Sequence, residues 1–241
     1  MRSVLLICSG TAADLAALRQ LLAGHARLCG VVQLSDPAAE AGFPQACERL
    51  ADGKFPYLRV SLPPLSPLFG PGGGPPPDAG AAPQLQAALA LLHEAAEAGA
   101  ALLTTTRLTL PALYLLARPG APFACWVHAG GAVFAGDCTP AAERTIRDDP
   151  AAAAIAVARA GALTFVPLEA AKTPAAGAVQ VLLDPASAQV ERYSVQVETE
   201  SAASYGCLVC DVLCRDKTLP LCGFVTKLFD SGKEAARRAD A

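Results

Sequence analysis

His128-Ala129-Gly130-Gly131-Ala132-Val133, followed two residues later by Gly136-Asp137-Cys138-Thr139-Pro140-Ala141-Ala142-Glu143-Arg144-Thr145-Ile146-Arg147-Asp148-Asp149-Pro150, passes from strand through loop to helix. The apolar run 123–128 ahead of it, with Phe, Trp and Val, reads as a buried strand entering the paired-glycine turn. Thr139-Pro140 keeps the backbone irregular, because proline removes a donor and pushes its predecessor out of the helical region. Asp149-Pro150 then opens an alanine-rich helix over 149–160, with an aspartate cap and proline in the first turn.

The same alternation extends in both directions. Strands are expected at 4–8, 28–34, 57–62 and 100–104, and helices at 12–23, 44–51, 83–98 and 108–117. Downstream come a strand at 163–167, a helix at 174–183, an antiparallel pair at 192–199 and 206–212, and a last strand at 223–229. Strand and helix in turn imply an α/β fold: a mostly parallel open sheet flanked by helices, with a C-terminal antiparallel hairpin. Ligands in such folds sit beyond the carboxyl ends of the strands. The Pro/Gly-rich segment 63–83, including Phe69-Gly70-Pro71-Gly72-Gly73-Gly74-Pro75-Pro76-Pro77, reads as a loop. Residues 1–241 are expected to form a single domain.

Charged residues make up 17% of the chain and hydrophobic ones 53%, which excludes a disordered polyelectrolyte. The net charge is −3, and Arg237-Arg238 is the one basic pair of note, so no basic face for gripping nucleic acid is expected. No apolar run reaches the ~20 residues of a membrane span. Residues 1–10 have the look of a short signal peptide, yet Gly10-Thr11 and a helix follow at once, so they read as a first strand. Nine cysteines, odd in number and scattered, suit small buried side chains in a reducing compartment. A zinc site from Cys207, Cys210, Cys214 and Cys222 is disfavoured, because side chains three apart on a strand face opposite ways. The expected location is intracellular, most simply cytoplasmic, with an organellar or cytoskeletal assembly left open.

The central stretch resembles the signature of the nucleoside hydrolases (inosine-uridine-preferring N-ribohydrolases), typically M-G-G-A, a spacer, then G-N-x-T-P-x-A-E-F-N-x-x-x-D-P-E-A-A. Other fragments fall in the same order. Arg27-Leu28-Cys29-Gly30-Val31-Val32 is similar to the family's second strand, and Phe69–Gly74 to its F/H-G-x-D-G-L-G loop. Thr105-Thr106-Arg107-Leu108-Thr109-Leu110 is similar to T-G-P-L-T-N, and Leu163-Thr164-Phe165-Val166-Pro167-Leu168 to T-x-V-P-L-D. Asp184-Pro185 and the segments 193–199 and 205–211 resemble the family's late D-P and its V-x-V-E-T…T-x-G-x-T-V-V-D hairpin.

The resemblance implies a Rossmann-like sheet and a calcium ion held by aspartates in D-T-D-x-G-x-D-D after strand one, activating water for N-glycosidic hydrolysis. Aligned on Gly10, this chain reads Leu6-Ile7-Cys8-Ser9-Gly10-Thr11-Ala12-Ala13, without those carboxylates. Asp14 stands one residue late, about 100° round the helix, and is expected to turn away from the metal position, capping or facing solvent. The family's late H-D pair falls near Pro174-Ala175, and the segment from Leu168 to Pro174 is much shorter than its counterpart.

What remains is a vestigial ribose pocket. Glu143 matches a glutamate that bonds ribose hydroxyls, and Asp137 and Thr145 replace asparagines. Thr105 matches the residue whose carbonyl reaches the metal, and His128, in a methionine position, is expected to face the pocket. Thr139-Pro140 and Glu143 also suit shaping a loop and capping a helix. Three readings follow. The first is a pseudoenzyme without cofactor, acting as a structural or interaction subunit with a protein partner, itself a homo-oligomer or not. The second is an active N-ribohydrolase with calcium at a centre rebuilt from Asp14, Asp36, Asp137, Glu143 or Asp148. The third is a non-catalytic ribose- or nucleoside-binding module.

Overall fold

The computed structural model describes residues 1–66, 82–120 and 123–229. Most of the Pro/Gly-rich loop, 67–81, and the Arg237-Arg238 pair therefore lie outside the described residues. The strands are β1 (Ser3–Cys8), β2 (Arg27–Leu34), β3 (Tyr57–Val60), β4 (Ala101–Thr104), β5 (Trp126–Ala129), β6 (Leu163–Val166), β7 (Ala188–Val197), β8 (Leu208–Asp211) and β9 (Leu221–Leu228). The helices are α1 (Ala12–Ala23), α2 (Phe43–Ala51), α3 (Ala82–Glu97), α4 (Thr109–Ala117), α5 (Arg144–Arg147), α6 (Pro150–Arg159) and α7 (Pro174–Leu183). Among the described residues the strands form one sheet in the order β3-β2-β1-β4-β5-β6-β9-β7-β8.

Why β1 lies at the centre follows from its residues. Val4 through Cys8 are all apolar and fully buried, as a parallel strand covered on both faces requires. Successive side chains point to opposite faces. Leu5 and Ile7 enter one core layer with Leu34, Leu92, Leu102, Trp126 and Phe165, beneath α3, α4 and α6. Val4, Leu6 and Cys8 enter the other with Leu18, Leu21, Phe43, Leu103 and Leu182, beneath α1, α2 and α7. β1 pairs in parallel with β2 on one side and β4 on the other. The strand order therefore reverses between β1 and β4, which opens a crevice at the carboxyl ends of the sheet.

The far end carries the expected antiparallel strands, in an order that the sequence did not define. The antiparallel pair exists as β7 and β8, but the last strand is not peripheral: β9 lies between β6, to which it is parallel, and β7, to which it is antiparallel. Aromatic packing explains the position. Phe224 of β9 stacks between Phe165 of β6 and Tyr193 of β7, with centroids 5.1 and 5.2 Å apart. Each such pair contributes about 0.5–1.5 kcal/mol beyond its buried area. Gly223 fits where a Cβ would approach Thr164 Oγ1 to 2.8 Å.

Candidate functional site

A cleft of about 230 Å³ lies beyond the carboxyl ends of β1, β2, β4 and β5, at the reversal of strand order. It is smaller than typical ligand pockets of about 300–1,000 Å³. Thr105, Asp137, Glu143 and Thr145 all line it, and so do Asp14, Asp36, Arg107, Arg144 and Asp148. His128 does not: it is fully buried behind the wall and reaches the lining through Thr145. The expectation that it faces the pocket is corrected on that point. Burial follows from its place on β5, beneath Phe165, whose ring meets it edge-on at 5.6 Å.

The turn after β1 takes its shape from Asp14. This aspartate is buried, and it closes a capping box with Thr11 at the start of α1. Its Oδ2 accepts from Ser9 Oγ (3.0 Å), Gly10 N (2.8 Å), Thr11 N (2.8 Å) and Thr11 Oγ1 (2.9 Å), while its Oδ1 accepts from Thr105 Oγ1. Asp14 thus caps the helix, as one expectation had it, and it is buried in the lining of the cleft rather than facing solvent. Gly10 takes a positive φ of +93° in this turn, which suits glycine, and its amide donates to Asp14.

Glu143 caps α5. Its Oε1 accepts from Thr145 N (3.0 Å), and its Oε2 from Gly131 N (2.9 Å) and Thr145 Oγ1 (2.6 Å). Burial pushes its carboxyl above the usual range, and the bonds from Thr145 and Gly131 pull the other way. Asp137 Oδ1 accepts from Arg144 N at 2.9 Å, holding the loop against the helix start, and Thr139 Oγ1 accepts from Ala142 N at 2.9 Å. Burial also raises Asp148; Arg144 opposes this and Asp36 adds to it.

Behind this wall runs a chain of hydrogen bonds. Trp126 Nε1 donates to Thr104 Oγ1 (2.9 Å), Thr104 Oγ1 meets His128 Nδ1 (2.9 Å), and His128 Nε2 meets Thr145 Oγ1 (2.9 Å). An indole only donates and a carboxylate only accepts. The chain therefore has one direction: Thr104 gives its hydrogen to Nδ1, and Nε2–H donates to Thr145, which donates to Glu143. His128 is neutral, burial having brought its pKa down to about 3 from 6.5.

A histidine depressed in this way stabilises the fold fully above pH 6.5. Below that, the unfolded chain takes up a proton that the folded chain refuses, so the contribution declines as the pH falls towards 3. The raised Glu143 works in the opposite sense, because its folded form takes up a proton first as the pH falls, so the His128 contribution is read as the difference between the wild type and a His128 variant. Below pH 6.5 that difference, followed by urea unfolding, is expected to steepen towards about 1.4 kcal/mol per pH unit, His128→Gln lacking the His128 part of the slope. An unchanged slope in the variant would refute the assignment.

Arg107 is the side chain that sequence reasoning missed. Its Nη2 donates to Ser35 O (3.1 Å) and Leu62 O (2.9 Å), and its Nη1 lies 3.8 Å from Asp36 Oδ2. It ties the ends of β2, β3 and β4 together at the cleft. The Thr105-Thr106-Arg107 run after β4 was the only signal available.

The donor set does not suit calcium. Calcium takes six to eight oxygens, several of them charged. Among the described residues the carboxylate beside the end of β1 is that of Asp14, and its two oxygens already accept five protein hydrogen bonds. Asp14, Asp36, Asp137, Glu143 and Asp148 share the cleft without converging: among the described residues no three His, Cys, Asp or Glu side chains come together to hold one ion.

No protein-family model and no curated protein matches the chain. Solved structures do. A plant nucleoside hydrolase superposes with a TM-score of 0.74 at 14% identity, over 94% of each chain. The inosine-uridine-preferring nucleoside hydrolase of Bacillus anthracis gives 0.71 at 17%, over 95% of this chain and 94% of that one. The purine-preferring ribonucleoside hydrolase of Gardnerella vaginalis gives 0.71 at 14%, over 94% of each. The sheet, its flanking helices and its antiparallel end thus define an α/β protein of the nucleoside-hydrolase fold. At these identities the likeness is one of fold.

Proposed function

We propose that this chain is a nucleoside-hydrolase-fold pseudoenzyme that serves as a structural or interaction subunit of a larger assembly, without calcium. The observation that carries the reading is the turn after β1. Ser9, Gly10 and Thr11 stand there, and the nearby Asp14 carboxylate is saturated by their donors and by Thr105. Hydrolysis of a nucleoside needs an activated water and stabilisation of an oxocarbenium-like ribosyl group. Asp14, whose two oxygens accept five protein hydrogen bonds, has no acceptor left at the turn to hold and activate a water.

The interaction part of the reading draws support from the surface. Phe134 is 82% exposed, yet its loop is held in place: the backbone N–H groups of Val133, Phe134 and Ala135 all donate to Glu169 Oε1, at 3.0, 2.8 and 3.2 Å. A rigid, exposed aromatic is the kind of side chain that anchors protein interfaces. Among the described residues no helix is long and apolar enough to cross a membrane.

A second reading, a non-catalytic ribose- or nucleoside-binding module, has one observation in its favour: Glu143 and Asp137 both line a cleft that remains open. One experiment separates the readings. Purified protein incubated with inosine, uridine and a chromogenic riboside, with calcium and with chelator, is expected to release no base, and calorimetry with the same nucleosides is expected to show no saturable heat. Calcium-dependent release would overturn the proposal. Saturable binding without turnover would favour the second reading.

A further inference from the structure

The guanidinium of Arg107 sits among oxygens of the type that hold hard metal ions. Two are backbone carbonyls, Ser35 O and Leu62 O at 3.1 and 2.9 Å from Nη2, and one is a carboxylate, Asp36 Oδ2 at 3.8 Å from Nη1. Both side chains are largely out of water, at 9% and 17% exposure for Arg107 and Asp36. Asp148 shares the wall closely enough to feel the charges of both. Carbonyls and carboxylates at the ends of strands are what calcium takes when a fold offers it a site.

We propose that Arg107 is the resident cation of this cleft: its guanidinium occupies the acidic, oxygen-lined position between the ends of β2, β3 and β4 and so keeps divalent cations out. This deepens, and rests on, the reading of the cleft as non-hydrolytic. Two facts bear on it beyond proximity. Arginine keeps its charge under all ordinary conditions, and a buried cation is tolerated only where oxygens surround it. Moreover, among the described residues the guanidinium is held only by its Nη edge: Nε is buried with no hydrogen-bond partner there. The oxygens, rather than an ideal fork-to-fork pairing, determine where the group lies. Without it, Asp36 would lose the cation 3.8 Å from its carboxylate, and Asp148 would keep only Arg144 and Arg147 to offset its charge.

The test is thermal unfolding of the full chain, titrated with calcium chloride, with dilute guanidinium chloride, and with tetramethylammonium chloride as a control for ionic strength. Wild-type Tm is expected not to respond to calcium. Arg107→Ala is expected to melt lower and to recover with calcium or guanidinium but not with tetramethylammonium. At a hundredfold excess over Kd the rise is about 5–10 °C for a chain of this size. Adding Asp36→Asn to Arg107→Ala is expected to abolish the recovery. Arg107→Gln, whose amide still donates to a carbonyl, is the variant to use if the alanine form does not fold, and it is expected to gain the same calcium response. A wild-type Tm raised by calcium, or neutral variants indifferent to calcium and guanidinium alike, would overturn the proposal. Nucleoside turnover by the wild type would refute the proposed function instead, and calcium-insensitive neutral variants leave that reading untouched.

Discussion

Asp149→Ala is expected to lower stability by about 3–5 kcal/mol, far beyond the ~1 kcal/mol of an ordinary helix cap. Asp149 is fully buried at the start of α6. Its Oδ2 accepts from Leu65 N (2.7 Å) and Thr109 Oγ1 (2.6 Å), and its Oδ1 from Ser66 N (3.0 Å), Ser66 Oγ (3.0 Å) and Ala152 N (3.2 Å). One carboxylate thus ties the segment after β3, the start of α4 and the start of α6. Truncation leaves buried donors without an acceptor, each costing about 1–3 kcal/mol before water relaxes the site. Asparagine discriminates. It caps helices as well as aspartate does, but its NH2 must face donors here. Asp149→Asn is therefore expected to cost at least about 2 kcal/mol by urea unfolding. A near-zero cost would mean that Asp149 is only a cap.

Gly136→Ala is expected to cost about 3 kcal/mol, at the upper end of overpacking, and to open the cleft. An added Cβ would lie 2.1 Å from the carbonyl oxygen of Ala142 and 2.5 Å from its nitrogen. Backbone has no rotamer to escape into, so the loop 136–142 must separate. With it go the bond from Arg144 N to Asp137 and the approach of Glu143 to Gly131. Hydrogen exchange should show the amides of Arg144 and Thr145 losing protection before the rest of the sheet. Gly42→Ala is the control, since nothing lies within 4 Å of a Cβ there, and it is expected to stay within about 1 kcal/mol of wild type. A Gly136→Ala protein as stable as that control would show the loop to be looser than its contacts imply.

The elements were legible because they depend on local pattern. Helices expected at 12–23 and 174–183 end on the same residues as α1 and α7, and Asp149 reads as a cap from Asp-Pro alone. The short helix α5 escaped notice because four residues carry too little periodicity, although Glu143 read as suited to capping a helix, which it does. The cleft was legible in its rim, Thr105, Asp137, Glu143 and Thr145, because those residues sit in recognisable turns. Its interior was not. Arg107 meets oxygens 72 and 45 residues away, and the Trp126–Thr104–His128–Thr145 chain joins three segments whose registers only the sheet defines. Asp14 shows the same limit: one of its bonds is from Thr105, 91 residues away.

The position of β9 bears on the order in which this protein is made. Its residues 221–228 form the seam between the parallel block β1–β6 and the antiparallel pair β7–β8. While the chain is being synthesised from its N-terminus, the pair can form but has nothing to dock on, and β6 presents an unpaired edge with Phe165 uncovered on that side. Closure of the sheet must wait for almost the last of the described residues. Long-range pairing of this kind is slow, and open edges invite wrong partners in the meantime. A nascent chain of this protein therefore carries an open β6 edge, exposed to wrong pairing, from the time β6 is made until residues 221–228 dock.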